Sequence, residues 1–226
     1  MPPPALRTPP PAPRRRRPRR AGGVVSLMVA LCLLFLGLLF LDDRWAPWTP
    51  LDPMAPPVAV TPLKLDRATA TASGCQTALA ALDGCRAEPQ PDSVDSAGCH
   101  IRQRLTVRAL AGATLSPVDT RCDTALRLGL WIRHGVQPAA ERLLGSAVVE
   151  VLHLGSYACR RIRTVQGPGE RMSAHATARA IDIAGVRLAD GRRLYLSGAW
   201  RGASAVAQFW RAARDGACQW FRTVLG

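Results

Sequence analysis

Between Ala21 and Leu41 the chain carries no charged residue, and a block of arginines stands directly before that run. No other feature restricts what the chain can fold into so severely. At roughly 1.5 Å per helical residue the run is about 31 Å long, the thickness of a bilayer core. Of the 18 residues Val24 to Leu41, 13 are Val, Leu or Phe. Each contributes roughly −0.3 to −0.6 kcal/mol near the bilayer centre, so insertion as a helix is favourable by several kcal/mol. A buried core helix is the alternative reading. It fits less well, because all faces are apolar and a basic block abuts one end. The expectation is a single transmembrane helix over residues 21–41. Arginine stays on the cytoplasmic side, so the remainder is expected to be exported. A cleaved signal peptide is the runner-up, against which Leu41-Asp42-Asp43-Arg44-Trp45 offers no small-x-small site. Cys32 follows Leu31 in mid-span and is no lipoprotein cysteine.

The rest of the chain divides around that helix. Residues 1–20 form a Pro/Arg tail that buries no core and is expected to be disordered and cytoplasmic. Residues 42–73 contain six prolines and then an Ala/Thr-rich run; they read as an extended spacer. Residues 74–226 remain as one domain large enough for its own core. Within it, 74–120 reads as short helix and irregular loop. A helix is expected to start near Asp119 or Thr120, with a kink or restart at Pro138 and a stop at Gly145. Ala147 to Leu154 and Ala180 to Leu188 read as strands. Asp190-Gly191 is a turn signal before a return strand Leu194 to Leu196. Ala203 to Arg214 reads as an amphipathic helix ended by Gly216. The class is α+β, a small antiparallel sheet with flanking helices, behind the single transmembrane helix.

Charge and cysteine narrow the partners. Seven of the 30 basic residues precede residue 21, and all 16 acidic residues lie at or beyond Asp42, which leaves a net of +7 from Asp42 onward. A moderately basic exported domain suits anionic lipid headgroups, cell-wall polymer or peptide carboxylates. Nucleic acid is excluded as a partner, because the densest basic run flanks a membrane span. Trp45 and Trp48, just beyond the span, read as interfacial anchors. Of seven cysteines, Cys32 is in the span, and Cys75, Cys85, Cys99, Cys122, Cys159 and Cys218 lie beyond it. Six in an exported domain read as disulfides, with reduced core cysteines as the alternative. Zinc ligation by cysteine is disfavoured, since no Cys-x-x-Cys pair occurs.

Residues 173–183 read Ser-Ala-His-Ala-Thr-Ala-Arg-Ala-Ile-Asp-Ile. This resembles the Ser-x-His-x-x-Gly-x-Ala-x-Asp signature of zinc-dependent D-alanyl-D-alanine peptidases and of the Hedgehog signalling domain, with Ala178 where those families carry Gly. Neutral imidazole and a carboxylate suit a zinc ion that acidifies a bound water. Residues seven apart would also share one face of an Ala-rich helix, with no metal involved. Further stretches sharpen the likeness: Gly155-Ser156-Tyr157-Ala158-Cys159-Arg160 after a strand, Ala184 to Arg193, Asp215-Gly216-Ala217-Cys218, Thr223-Val224-Leu225-Gly226, and Val136-Gln137-Pro138-Ala139-Ala140. Together they resemble the bacterial extensin-like C-terminal domain over roughly residues 74–226.

That resemblance implies a fold similar to the peptidases and His175 and Asp182 as zinc ligands. It implies Arg160, with Tyr157, as the holder of a substrate carboxylate, which a guanidinium grips bidentately; an ordinary ion pair is the alternative for Arg160. Ser173 is implied as a hydrogen bonder beside the metal. Cys159 is expected to pair with Cys218, leaving Cys75, Cys85, Cys99 and Cys122 to pair among themselves. In the family a His-x-Asp-His-x-His segment follows the final Leu-Gly and supplies a third ligand. The sequence as given stops at Gly226, so zinc here is expected to be weakly held or absent. The expected function is that of an inner-membrane protein whose periplasmic domain binds peptidoglycan peptide or polymer without cutting it. The alternatives are a zinc peptidase acting on peptidoglycan stem peptides and a structural protein that docks another protein.

Overall fold

A computed structural model describes residues 21–39, 42–165 and 167–225. The chain forms two compact units, Met1–Asp42 and Asp43–Gly226. The first contains helix α1, Ala21–Leu39, whose large apolar side chains are exposed, Val24 and Phe35 at 63 and 62 %. Among the described residues no helix is long and apolar enough to cross a membrane. The described side chains of α1 run only from Gly23 to Leu38. Phe40, Leu41 and the expected cytoplasmic tail lie outside the described residues.

The second unit begins well before residue 74. Thr61–Thr69 is helix α2, with Pro62 in its first turn, where the missing N–H costs no helical bond. Leu65 on α2 is 2 % exposed and belongs to the core. Residues 43–60 fold back onto α2. Lys64, the only lysine of the chain, is buried and donates to the Asp43 carbonyl at 2.5 Å and to Thr49 Oγ1 at 2.7 Å. Arg67 donates to the Pro47 carbonyl. The expectation of an extended spacer over 42–73 is therefore corrected. Proline marked chain without regular structure, but two cationic side chains collect its carbonyls and hold it against the domain.

Helix α3, Ala72–Ala80, is capped by Thr71, whose hydroxyl accepts from the Gly74 N–H at 3.1 Å. Five strands follow: β1 Arg86–Pro89, β2 Ser93–Ser96, β3 Cys99–Ile101, β4 Arg104–Leu110 and β5 Ala113–Arg121. This region was expected to be short helix and loop. Its strands are short and interrupted by bulges, which hides the alternation that marks a strand. Helix α4, Cys122–Trp131, then starts beyond the expected Thr120 cap, because Thr120 still belongs to β5. A π-helical turn, Ile132–Val136, joins it to α5, Gln137–Leu144, which ends at Gly145 with φ +66°. Pro138 restarts the helix and Gly145 stops it, as the sequence requires.

Strand β6, Val148–Gly155, returns alongside β5 in parallel, since the helical segment carries the chain back across the sheet. The hairpin β7 Arg161–Thr164 and β8 Gly167–Met172 leads to β9, Asp182–Leu188, and β10, Arg193–Tyr195. The main sheet has six strands in the order β1-β4-β5-β6-β9-β10. The fold is α+β, as expected, but the sheet is mixed rather than antiparallel. One face is dry: Leu105, Val107, Leu115, Val148, Val151, Val186 and Leu188 pack in a single core with α3 to α6. Every residue of that core lies between Leu65 and Trp220, so Asp43–Gly226 carries its own core.

Helix α6, Ala205–Ala217, is capped by Ser204 and runs through Gly216. Gly216 was expected to end it. Instead a Cβ there would stand 3.3 Å from Gly135 Cα, so this glycine lets α6 approach the π-helical turn closely.

Two disulfides form, Cys75–Cys122 and Cys99–Cys159. The expected Cys159–Cys218 bond is corrected. Cys159 lies on the loop after β6 and is bonded to β3, which packs beside the segment following β8. Cys218 is at the exposed end of α6, its thiol facing the Arg214 carbonyl at 3.7 Å. Cys85 is also unbridged, and burial pushes its thiol pKa up.

His134 in the π-helical turn ties the 43–60 segment to the domain. Its Nε2 is 2.9 Å from the Pro53 carbonyl, and its ring lies 5.8 Å from that of Trp220. Burial lowers its pKa below 6.5. The unfolded chain therefore takes up this proton first, so stability is full above about pH 6.5 and falls as pH drops toward the folded pKa. Chemical unfolding between pH 7 and 5 should show this loss, and His134→Gln, which keeps a donor for Pro53, should flatten it.

Candidate functional site

At the open end of the β6/β9 pair the register places Gly155 opposite Asp182. Chain entering β9 comes from a short 3₁₀ turn, Ala174–Thr177. Ser173 caps that turn, its Oγ accepting from the His175 N–H at 3.3 Å. This is the role the structure gives Ser173. Two backbone bonds fix the turn to the loop after β6: Ala158 N–H to the His175 carbonyl and Ser173 N–H to the Arg160 carbonyl, both 3.0 Å.

His175 and Asp182 are brought together. Nδ1 of His175 lies 3.0 Å from the Ser156 carbonyl, which can only accept, so Nδ1 carries a proton. Nε2 then faces Asp182 Oδ1 at 3.4 Å. Two states satisfy this geometry: an imidazolium paired with the carboxylate, or a neutral imidazole that shares a cation with it. The His175 side chain is 12 % exposed and that of Asp182 56 %, so the pair opens to solvent on the Asp182 side. Among the described residues no group of three or more His, Cys, Asp or Glu could hold a metal ion. His153 does not join the pair. Its Nε2 contacts Ser116 Oγ at 2.9 Å and the Ser116 carbonyl at 3.0 Å. His100 sits on β3 and His134 in the π-helical turn.

Tyr157 and Arg160 share the loop after β6. The Tyr157 hydroxyl donates to the Asp95 carboxylate of β2, and that hydrogen bond, with a smaller contribution from burial, pushes its pKa up to about 12. Arg160 is half-buried, and its guanidinium has no partner among the described residues. The Cys99–Cys159 bond lies between Tyr157 and Arg160 in the chain and ties their loop to β3. Asp95 was missed from the sequence. It lies 62 residues from Tyr157, inside the region read as irregular, and nothing local marks it.

Also missed was the set of hydroxyls beneath the site. Thr120, Thr124 and Ser156 are 1, 3 and 1 % exposed. Thr124 donates to the Ala178 carbonyl at 2.9 Å, and Ser156 to the Ala180 carbonyl at 2.7 Å. Thr120 Oγ1 and Ser156 Oγ are 2.7 Å apart; with the Ser156 proton committed to Ala180, Thr120 is the donor. Three hydroxyl protons thus fill three acceptors. Ser156 is the hinge of the arrangement: its carbonyl orients His175 while its hydroxyl holds the chain two residues before Asp182.

Between them, Ala178 is fully buried and left-handed, φ 49° and ψ 35°. A non-glycine residue there costs about 1–3 kcal/mol, which accounts for glycine in the related signatures. Ala178→Gly relieves that strain but loses a buried methyl group and gains unfolded-state entropy, so urea unfolding of residues 43–226 should place it within about 1 kcal/mol of the parent. Ala178→Val, β-branched at the same angles, should lose at least about 2 kcal/mol.

A protein-family model described as "Extensin-like protein C-terminus" matches residues 73–226. No curated protein and no solved structure matches the chain.

Proposed function

Since the chain belongs to the extensin-like C-terminal family over residues 73–226, we propose that it is a membrane-tethered domain of the bacterial cell envelope, binding cell-wall peptide beside a weak cation site. The observation that carries this reading is the 3.4 Å approach of His175 Nε2 and Asp182 Oδ1. A neutral imidazole and a carboxylate both present lone pairs there, and a divalent cation answers both. Zinc bound at such a pair would polarise a water or a carbonyl oxygen. Catalytic zinc sites take three protein ligands, and the described residues supply two, so binding is favoured over hydrolysis. Arg160 is the residue we assign to a peptide carboxylate; its backbone carbonyl accepts from Ser173, two residues from His175. Tyr157, its hydroxyl committed to Asp95, forms a fixed wall of the same loop.

The tether rests on α1 and what precedes it. Nineteen residues without a charge, their described large side chains exposed, need an apolar surrounding. Seven arginines before them favour a cytoplasmic N-terminus and a periplasmic domain.

Zinc content of purified residues 43–226 should fall clearly below one equivalent after gel filtration, and His175→Ala or Asp182→Ala should remove it. One tightly held equivalent would instead favour the zinc peptidase reading, with a further ligand. Titration calorimetry with a D-alanyl peptide that has a free C-terminal carboxylate should show binding without turnover. Arg160→Gln should weaken that binding roughly tenfold or more, the usual effect of losing a charge-assisted hydrogen bond. Equal affinity in the variant would remove Arg160 from the site.

A further inference from the structure

Four of the six tryptophans, Trp131, Trp200, Trp210 and Trp220, are packed against the core. Trp45 and Trp48 are 44 and 58 % exposed, and the chain around them is not loose. Between them Ala46 is 2 % exposed. The Asp43 carbonyl takes the Lys64 ammonium, and the Pro47 carbonyl takes the Arg67 guanidinium. Thr49 Oγ1 lies 2.7 Å from the Asp43 carbonyl and 3.0 Å from the Ala46 carbonyl. The polar backbone of the turn is thus bound to α2, while its two indoles stand in solvent. Leu63, 45 % exposed, precedes Lys64 and shares a helix face with Arg67, which reaches the turn. Large apolar side chains held rigidly in water mark a contact surface.

We infer that this turn docks on the interfacial layer of a bilayer, with Trp45 and Trp48 at headgroup level. The occupant follows from chain connectivity. Trp45 is six residues beyond the end of α1 at Leu39, a reach of about 20 Å at most. Indole is the side chain that favours such a layer, with an apolar ring and one N–H donor. The net charge of +7 from Asp42 onward adds attraction to anionic headgroups. The inference rests on the tether proposed above and adds to it. The domain touches the membrane through a turn that is fastened to α2.

Flotation of residues 43–226, which hold the whole core and both disulfides, with vesicles of phosphatidylcholine and phosphatidylglycerol tests this without α1. The domain should float with the vesicles, more so as the anionic fraction rises. The double variant Trp45→Ser, Trp48→Ser should lower the bound fraction at least about tenfold. Leu154→Ser, at a residue 79 % exposed elsewhere on the domain, should leave it unchanged. Near-UV circular dichroism checks that each variant is folded. Brominated lipid should quench fluorescence in the parent domain and not in the double variant. Failure to float at any lipid composition, equal flotation of the double variant, or tryptophan-dependent capture by peptidoglycan in place of vesicles would each overturn the inference. Full-length protein in carbonate-washed membranes separates the two claims. If it is retained while residues 43–226 fail to float, the tether stands and the docking surface does not. If it is extracted, the tether itself is lost.

Discussion

Three buried hydroxyl protons hold the candidate site together. Thr120 at the end of β5, Thr124 in the first turns of α4 and Ser156 after β6 come from three separate elements; Thr124 and Ser156 donate to the Ala178 and Ala180 carbonyls, and Thr120 donates to Ser156. A buried carbonyl left without a donor costs about 1–3 kcal/mol, so these bonds leave the segment little freedom. Through them the sheet and α4 determine where the 3₁₀ turn sits, and with it the distance from His175 to Asp182. Ala178 takes up the resulting backbone strain. The parallel pairing of β5 and β6 belongs to the same constraint, because it brings Thr120 and Ser156 within hydrogen-bonding distance at one end of the sheet.

The second half of the domain was legible in the sequence. Val148 to Gly155 and Asp182 to Leu188 are apolar runs between turn residues, and Asp190-Gly191 closes a tight hairpin, so local chemistry named these elements. The juxtaposition of His175 and Asp182 was legible through the resemblance. What escaped was long-range. Strands β1 to β5 carry bulges that break the period of two, and β1 and β2 are mostly solvent-facing. Asp95 meets Tyr157 only because the chain folds across 62 residues. The prolines of 43–60 were read for stiffness, and the signal that the segment is bound lay in a single lysine placed elsewhere. Disulfide partners depend on which elements become neighbours, and no spacing of cysteines encodes that.

The face of the sheet away from the helices is charged in matched pairs. Arg187 lies 2.7 Å from Glu150, and Arg104 meets Asp119, which also accepts from Thr106 at 2.6 Å. Burial alone would raise the Asp119 carboxyl pKa; the Thr106 hydroxyl and the Arg104 guanidinium bring it below the usual value. Partly exposed pairs of this kind add at most about 1 kcal/mol each. Their larger effect is to keep a wide, strand-lined surface soluble and to confine apolar contact to other parts of the domain.

The two disulfides interleave: Cys99 lies inside the loop closed by Cys75 and Cys122, while Cys159 lies outside it. In a chain made from its N-terminus, Cys75 meets Cys85 and then Cys99 before Cys122 has appeared. Pairing in order of emergence gives a non-native bridge each time, and Cys85 is a thiol with no native partner in the fold to withdraw it. Oxidative folding of this domain therefore calls for thiol exchange once most of the chain is present, so its yield depends on exchange and not on the oxidant alone.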